Sequence, residues 1–219
     1  MKAAFLSMIA VLPCIPGVAL SMTVPELQRK IKDQDGRMIS AKFEYFQEMR
    51  SAAASEVVKA KGLAYFMKPR NFRIEQSEPD RQIIVASGKS VFVYTPKFKQ
   101  ALKDSWKRWA KKNSFFPGLF GSSETFEHLE KNFLWEIGQV EALGGEKVLK
   151  VALKESGSLT DEGLSLWLGA EDFVPRKAEF KSGGLSLVTT LFSLELNPKL
   201  DPGLFRFTPP KGTTVVQVP

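Results

Sequence analysis

The sequence predicts a mainly β protein, an antiparallel meander of about ten or eleven strands. Three observations carry this. Residues alternate along single runs, with Phe43, Tyr45, Gln47 and Met49 on one parity and Lys42, Glu44, Phe46 and Glu48 on the other. Turn residues separate such runs at short spacing. No helical pattern of about 10–15 residues stands between the strands, which argues against a parallel βαβ sheet. The chain has 219 residues, 25% charged and 43% hydrophobic, an ordinary globular composition that excludes disorder, collagen and coiled coil. That length fits one domain, or two at most.

Residues 1–21 read as a leader rather than as fold. Lys2 precedes a mostly apolar run from Ala3 to Leu20, and Ala19 and Ser21 are small residues placed for a cut before Met22. A membrane anchor is the alternative, but Pro13, Pro16 and Gly17 interrupt the run. A lipidation site at Cys14 is a third reading, and Pro13 stands where a small residue is wanted. Cys14 is the only cysteine, so residues 22–219 are read as one exported domain without disulfide, thiol nucleophile or cysteine metal site.

Residues 24–35 carry Val24, Leu27 and Ile31 at helical spacing, with Thr23 as N-cap and Pro25 early in the helix. Strands follow at 43–49, 62–68, 71–76 and 81–86. Ser87-Gly88-Lys89 then turns the chain into Val91-Phe92-Val93-Tyr94. Beyond an insertion, strands resume at 133–137, 147–153, 163–168, 174–181, 185–196 and 205–208. Gly144-Gly145 and Gly183-Gly184 read as hairpin turns. Several strands are apolar on both parities, Leu63 through Met67 for instance. That pattern fits a sheet facing an apolar cavity and a two-layer sandwich equally well.

The insertion covers roughly 97–132. Phe98, Ala101, Leu102, Ser105, Trp106 and Trp109 fit one helix face, while Lys99, Lys103, Lys107, Arg108 and Lys111 crowd beside it. A basic helix with two Trp would suit an anionic membrane surface; the alternative is a helix packed on the sheet with solvated lysines. Phe115, Phe116, Leu119 and Phe120 follow among Pro and Gly, as a greasy lid or a plug of core. A short helix is expected from Glu124 to Lys131.

Catalytic patterns are missing. His128 is the only histidine, without a ligand pattern or a nucleophile elbow, so neither a metal site nor a serine triad is expected. Neither a phosphate loop nor a dinucleotide fingerprint occurs. Glu171-Asp172 reads as a solvated loop pair. The net charge of +7 raises nucleic acid as a partner, but the export signal and the lack of a stacking platform oppose it. Seventeen Phe beside three Tyr is a large apolar payload. The residues therefore favour a non-enzymatic exported protein, without cofactor, that holds a hydrophobic ligand. Burial contributes about 0.8 kcal/mol per CH₂ of such a ligand.

An ordered set of segments also resembles a known family. Lys68-Pro69-Arg70-Asn71-Phe72-Arg73-Ile74 is followed by Glu78-Pro79-Asp80, by Ser87 through Pro96, and by Gln100. Phe205-Arg206-Phe207-Thr208-Pro209-Pro210-Lys211-Gly212 leads to Val215 near the end. Together they resemble the LolA family of periplasmic outer-membrane lipoprotein carriers over roughly residues 24–218. The resemblance implies an open, incomplete antiparallel β-barrel with a short helical lid, and no enzyme activity. It implies acylated lipoproteins as cargo, an ATP-binding-cassette lipoprotein-releasing complex in the inner membrane as donor, an outer-membrane lipoprotein as acceptor, and a monomer in the periplasm. An envelope sensor or an acceptor on the same fold is the alternative. Lipid-binding or lid residues are then expected at Phe43, Tyr45, Phe66, Lys68, Phe72, Ile74, Phe92, Phe115, Phe116, Leu119 and Phe120. Lys68 stands where the family often carries an Arg that ties barrel to lid, so a weaker latch is expected unless Arg70 or Arg73 takes over.

Overall fold

The computed structural model describes residues 22–112, 123–155 and 162–218. The expected leader and Phe115, Phe116, Leu119 and Phe120 lie outside the described residues. Among those described, the twelve strands form one continuous sheet, and the two-layer sandwich is excluded.

The chain opens with helix α1 (Val24–Arg37). Thr23 and Glu26 cap it reciprocally: the Glu26 amide donates to the Thr23 hydroxyl, and the Thr23 amide donates to the Glu26 carboxylate at 2.8 Å. Five strands then meander through β1 (Ser40–Ser51), β2 (Val58–Met67), β3 (Asn71–Glu78), β4 (Gln82–Ser87) and β5 (Ser90–Thr95). Next come β6 (Gln100–Ser105) and the helices α2 (Trp106–Lys112) and α3 (Ser123–Asn132). The second meander is β7 (Phe133–Leu143), β8 (Glu146–Glu155), β9 (Gly163–Gly169), β10 (Pro175–Ser182) and β11 (Leu185–Leu196). The last strand is β12 (Thr214–Gln217).

The sheet order is β12-β6-β5-β4-β3-β2-β1-β11-β10-β9-β8-β7. All pairs are antiparallel except β12 with β6. The joint between the two meanders is β1 on β11. There Ser193 takes a left-handed backbone (φ 49°) at a bulge between Lys42 and Glu44. β7 and β12 do not pair with each other, so the barrel stays open. The Gly144-Gly145 and Gly183-Gly184 hairpins have positive φ at both residues, as two-residue turns require.

Three expectations need correction. Residues 97–112 are not one helix. Pro96–Phe98 is a 3-10 turn, Lys99 is left-handed (φ 47°), and Gln100–Ser105 is a strand paired on both sides. Residues 205–208 are not a strand: Pro202–Phe205 is a 3-10 turn, and the closing strand is Thr214–Gln217. The strand total is therefore twelve among the described residues, with β6 and β12 added to the expected set.

Candidate functional site: the concave face

Alternation on β1–β5 sends one parity of side chains to the same side of the sheet. The register sets them in rows across the strands. Ala41, Phe66, Phe72, Ala86 and Val91 are successive partners, and so are Phe43, Ala64, Ile74, Ile84 and Val93. These residues, with Tyr45 and Leu191, make one packed cluster. Five expected site residues, Phe43, Tyr45, Phe66, Phe72 and Ile74, thus come together on this face, all buried. A second cluster on the other half-sheet is covered by α1, whose Leu27 is fully buried against Leu149, Val151 and Leu164.

Helix α2 lies over the first cluster. The Phe72 ring sits 5.0 Å from the Trp109 ring and 5.5 Å from that of Trp106, centroid to centroid. Such pairs contribute about 0.5–1.5 kcal/mol beyond their area. The two Trp that suggested membrane contact are therefore turned onto the sheet. The basic face expected beside them does not form either. Lys103 is on β6 with its ammonium 5.7 Å from the Phe92 ring, Arg108 donates to Asp104 at 2.5 Å, and the Lys111 side chain is outside the described set. A membrane contact based on that shared face loses its basis.

Phe92 does not join the concave cluster. Its parity is that of Val85 and Lys103, and its ring meets Phe207 at 5.2 Å on the outer face. Tyr94 packs on Phe207 as well, at 5.7 Å. The segment after the 3-10 turn is thus a strap over the outside of β5.

Lys68 directly follows β2 and reaches α1: its ammonium donates to the Asp35 carboxylate at 2.9 Å and to the Asp35 carbonyl. Arg73 instead donates to Glu75 at 2.6 Å and to the Leu204 carbonyl at 3.3 Å, so it ties β3 to the 3-10 turn Pro202–Phe205. Further ties hold α1. Lys32 pairs with Glu130 of α3 at 2.7 Å, and the Lys30 ammonium lies 5.0 Å from the Phe173 ring. Asn197 donates to the Arg37 carbonyl at 3.2 Å. α2 is fastened through Arg108, which donates to Asp104 and, at 2.9 Å, to the Val218 carbonyl.

Titratable groups give the site little chemistry. Burial pushes the Tyr45 phenol up to about 12, so it stays neutral. His128 is exposed on α3 with Asn132 at 2.9 Å. Asp172 is not a solvated loop residue: it accepts from Arg176 at 2.9 Å and from the Val174 amide at 3.0 Å. Burial by itself would lower the Arg176 pKa, but its hydrogen bonds to Glu146 and Asp172 raise it. This clamp fixes the β9–β10 turn and lies away from the apolar rows. Among the described residues no group of three or more His, Cys, Asp or Glu could hold a metal ion. What the concave face can do is bury apolar surface.

Sequence reasoning leaves Trp106 and Trp109 between a membrane surface and a helix packed on the sheet, and does not name them as part of this face; the packed alternative is the one observed for both Trp. It also misses the Phe207 strap. The one local signal for that strap is two-sided apolarity at Val91 through Tyr94.

Comparison with known proteins agrees with this architecture. An outer-membrane lipoprotein carrier protein of Legionella pneumophila (strain Lens) is 28% identical over 184 residues, 78% of this chain and 81% of that one. The protein of the same description from Klebsiella pneumoniae (strain 342) is 22% identical over 201 residues, 92% of this chain and 93% of that one. Among solved structures, an uncharacterized conserved protein from Thermus thermophilus superposes with a TM-score of 0.58 at 14% identity, covering 87% of this chain and 98% of that one. The Mycobacterium tuberculosis lipoprotein LppX superposes with a TM-score of 0.50 at 11% identity, covering 82% and 99%. Residues 37–208 match the family described as outer membrane lipoprotein carrier protein LolA. The match along most of the chain leads to one conclusion: the chain belongs to the LolA family of outer-membrane lipoprotein carrier proteins, whose members are binding proteins and not enzymes.

Proposed function

We propose that this protein is a periplasmic carrier that shields the acyl chains of lipoproteins on its concave face and moves them from the inner to the outer membrane. The observation that carries the reading is the buried row of Phe66, Phe72 and their neighbours beneath Trp106 and Trp109, on a sheet left open at both edges. Residues 1–21 serve as the export leader, and residues 22–219 act as one carrier domain. α2 is the cover that lifts, since it is the helix whose Trp106 and Trp109 lie on Phe72, while α1 covers the other cluster. Family membership supports lipoprotein cargo. By the same analogy the donor is an ATP-driven inner-membrane complex and the acceptor an outer-membrane lipoprotein. Acyl burial alone supplies the affinity, at about 0.8 kcal/mol per CH₂.

A sedimentation experiment tests this. A purified diacylated lipoprotein, diluted out of detergent, should stay in the supernatant with one equivalent of the protein, and the deacylated form should not bind. Phe72→Gln should reduce the soluble fraction. A lipoprotein that pellets equally with and without the protein overturns the reading and leaves the sensor alternative.

A further inference from the structure

One row of the concave face differs from its neighbours. Phe43, Ala64, Ile74, Ile84, Val93 and Leu102 are successive cross-strand partners from β1 to β6, and Val216 of β12 continues them. Every member is apolar. The row on one side begins the same way but ends at Asp104, which partners Val91 and holds Arg108. The row on the other side is polar beyond Tyr45 and Gly62: Gln76 partners Gln82, and Gln82 donates to Thr95 at 3.3 Å. The middle row alone runs without a polar break from the buried core to the open edge of the sheet. Its burial is graded, from Phe43 at 3% exposed to Leu102 at 39% and Val216 at 38%.

The dimensions decide how a chain would lie. Along the strands, the apolar zone is bounded by the polar row only one side-chain repeat below, about 7 Å. Across the strands, the row spans six spacings of about 4.8 Å, about 29 Å in all. With carbon–carbon bonds of about 1.5 Å, an extended sixteen-carbon chain is about 20 Å long. Such a chain fits across the strands and not along them.

The geometry points to this row as a lane for a single saturated acyl chain, lying across the strands with its methyl end at Phe43 and its ester end at the Leu102–Val216 edge. The inference rests on the carrier reading and adds direction and polarity to it. The ester and the attached polypeptide leave at the exposed edge, where water can solvate them, and the tail end sits where exclusion of water is complete. Asp104 with Arg108 on one flank and Gln82 with Thr95 on the other confine the chain, because sliding sideways would desolvate those polar groups.

The test is photo-crosslinking with a dipalmitoylglyceryl-cysteinyl peptide whose chains carry a diazirine either near the methyl end or near the ester. The methyl-end probe should label β1 and β2 around Phe43 and Ala64, and the ester-end probe β6 and β12 around Leu102 and Val216. Ile84→Gln, in mid-lane, should weaken binding roughly tenfold, the worth of about two buried methylenes. Ile83→Gln, the next residue but on the outer face, should leave it within about twofold. Labels from both probes on the same strand, or on Gln76, Gln82 and Thr95, would overturn the lane while leaving the carrier intact. A lipopeptide that the unaltered protein does not bind overturns the carrier reading itself.

Discussion

Phe72 joins the sheet to its cover. Its ring is buried and meets both Trp of α2. Phe72→Ala should destabilise the protein by about 3–5 kcal/mol, measured by denaturant unfolding, because the space beneath two indoles cannot collapse. A loss below about 1 kcal/mol would mean that α2 does not rest there. Tyr45 supplies a pH signature. Its folded pKa, raised by burial from 10.0 to about 12, lies above the unfolded value. The stability this contributes is full below about pH 10 and disappears as pH rises towards 12. Tyr45→Phe should therefore unfold at higher pH than the unaltered protein in an alkaline titration followed by circular dichroism. At this scale the site is partly legible in the sequence. Alternation with period two sorts Phe43, Tyr45, Phe66, Phe72 and Ile74 onto one face once the strands are recognised. It cannot sort Phe92, since both parities of β5 are apolar: Val91 packs inside, and Phe92 is covered outside by Phe207, which comes from more than a hundred residues later.

Among the elements, β6 and α2 show where local pattern fails. Ala101 and Leu102 fit a helical period with Trp106 and Trp109, but β5 and β12 offer ladder partners for Gln100–Ser105 on both sides, and pairing prevails over period. The chain turns helical only at Trp106, where the Arg108 amide donates to the Ser105 hydroxyl at 3.3 Å. α1 is legible because its signals are local: the Thr23–Glu26 capping box, the early Pro25 and buried Leu27. The closing strand is not, since its partner β6 itself carries a helical period. Arg108→Gln should loosen α2 selectively. It leaves the largely buried Asp104 carboxylate without its guanidinium and frees the Val218 carbonyl, at about 1–3 kcal/mol locally. Hydrogen exchange across 106–112 should then quicken while α1 keeps its protection. Equal quickening in both helices would contradict the separate fastening of the two.

At the scale of the whole molecule, the described residues form a twelve-strand sheet that does not close, with one concave face, two covered clusters, and end strands β7 and β12 that each pair on one side among those residues. The mainly antiparallel architecture is legible from strand spacing and from the lack of helices between strands. That the strands make one curved sheet rather than two layers is not, because a strand apolar on both parities looks the same in either. The carrier reading makes a global prediction. A diacylated lipopeptide at about a hundred times its Kd should stabilise the fold by about 2.7 kcal/mol. For a chain of this size that raises Tm by about 5–10 °C, and the deacylated peptide should leave it unchanged.

The carrier reading requires the concave face to hold acyl chains in the cell. Native mass spectrometry of the protein recovered from the periplasm decides whether it does. A one-to-one complex with an acylated lipoprotein is expected, lost on Phe72→Gln. A protein that is recovered empty, and stays empty after mixing with detergent-solubilised lipoproteins, would refute the carrier reading.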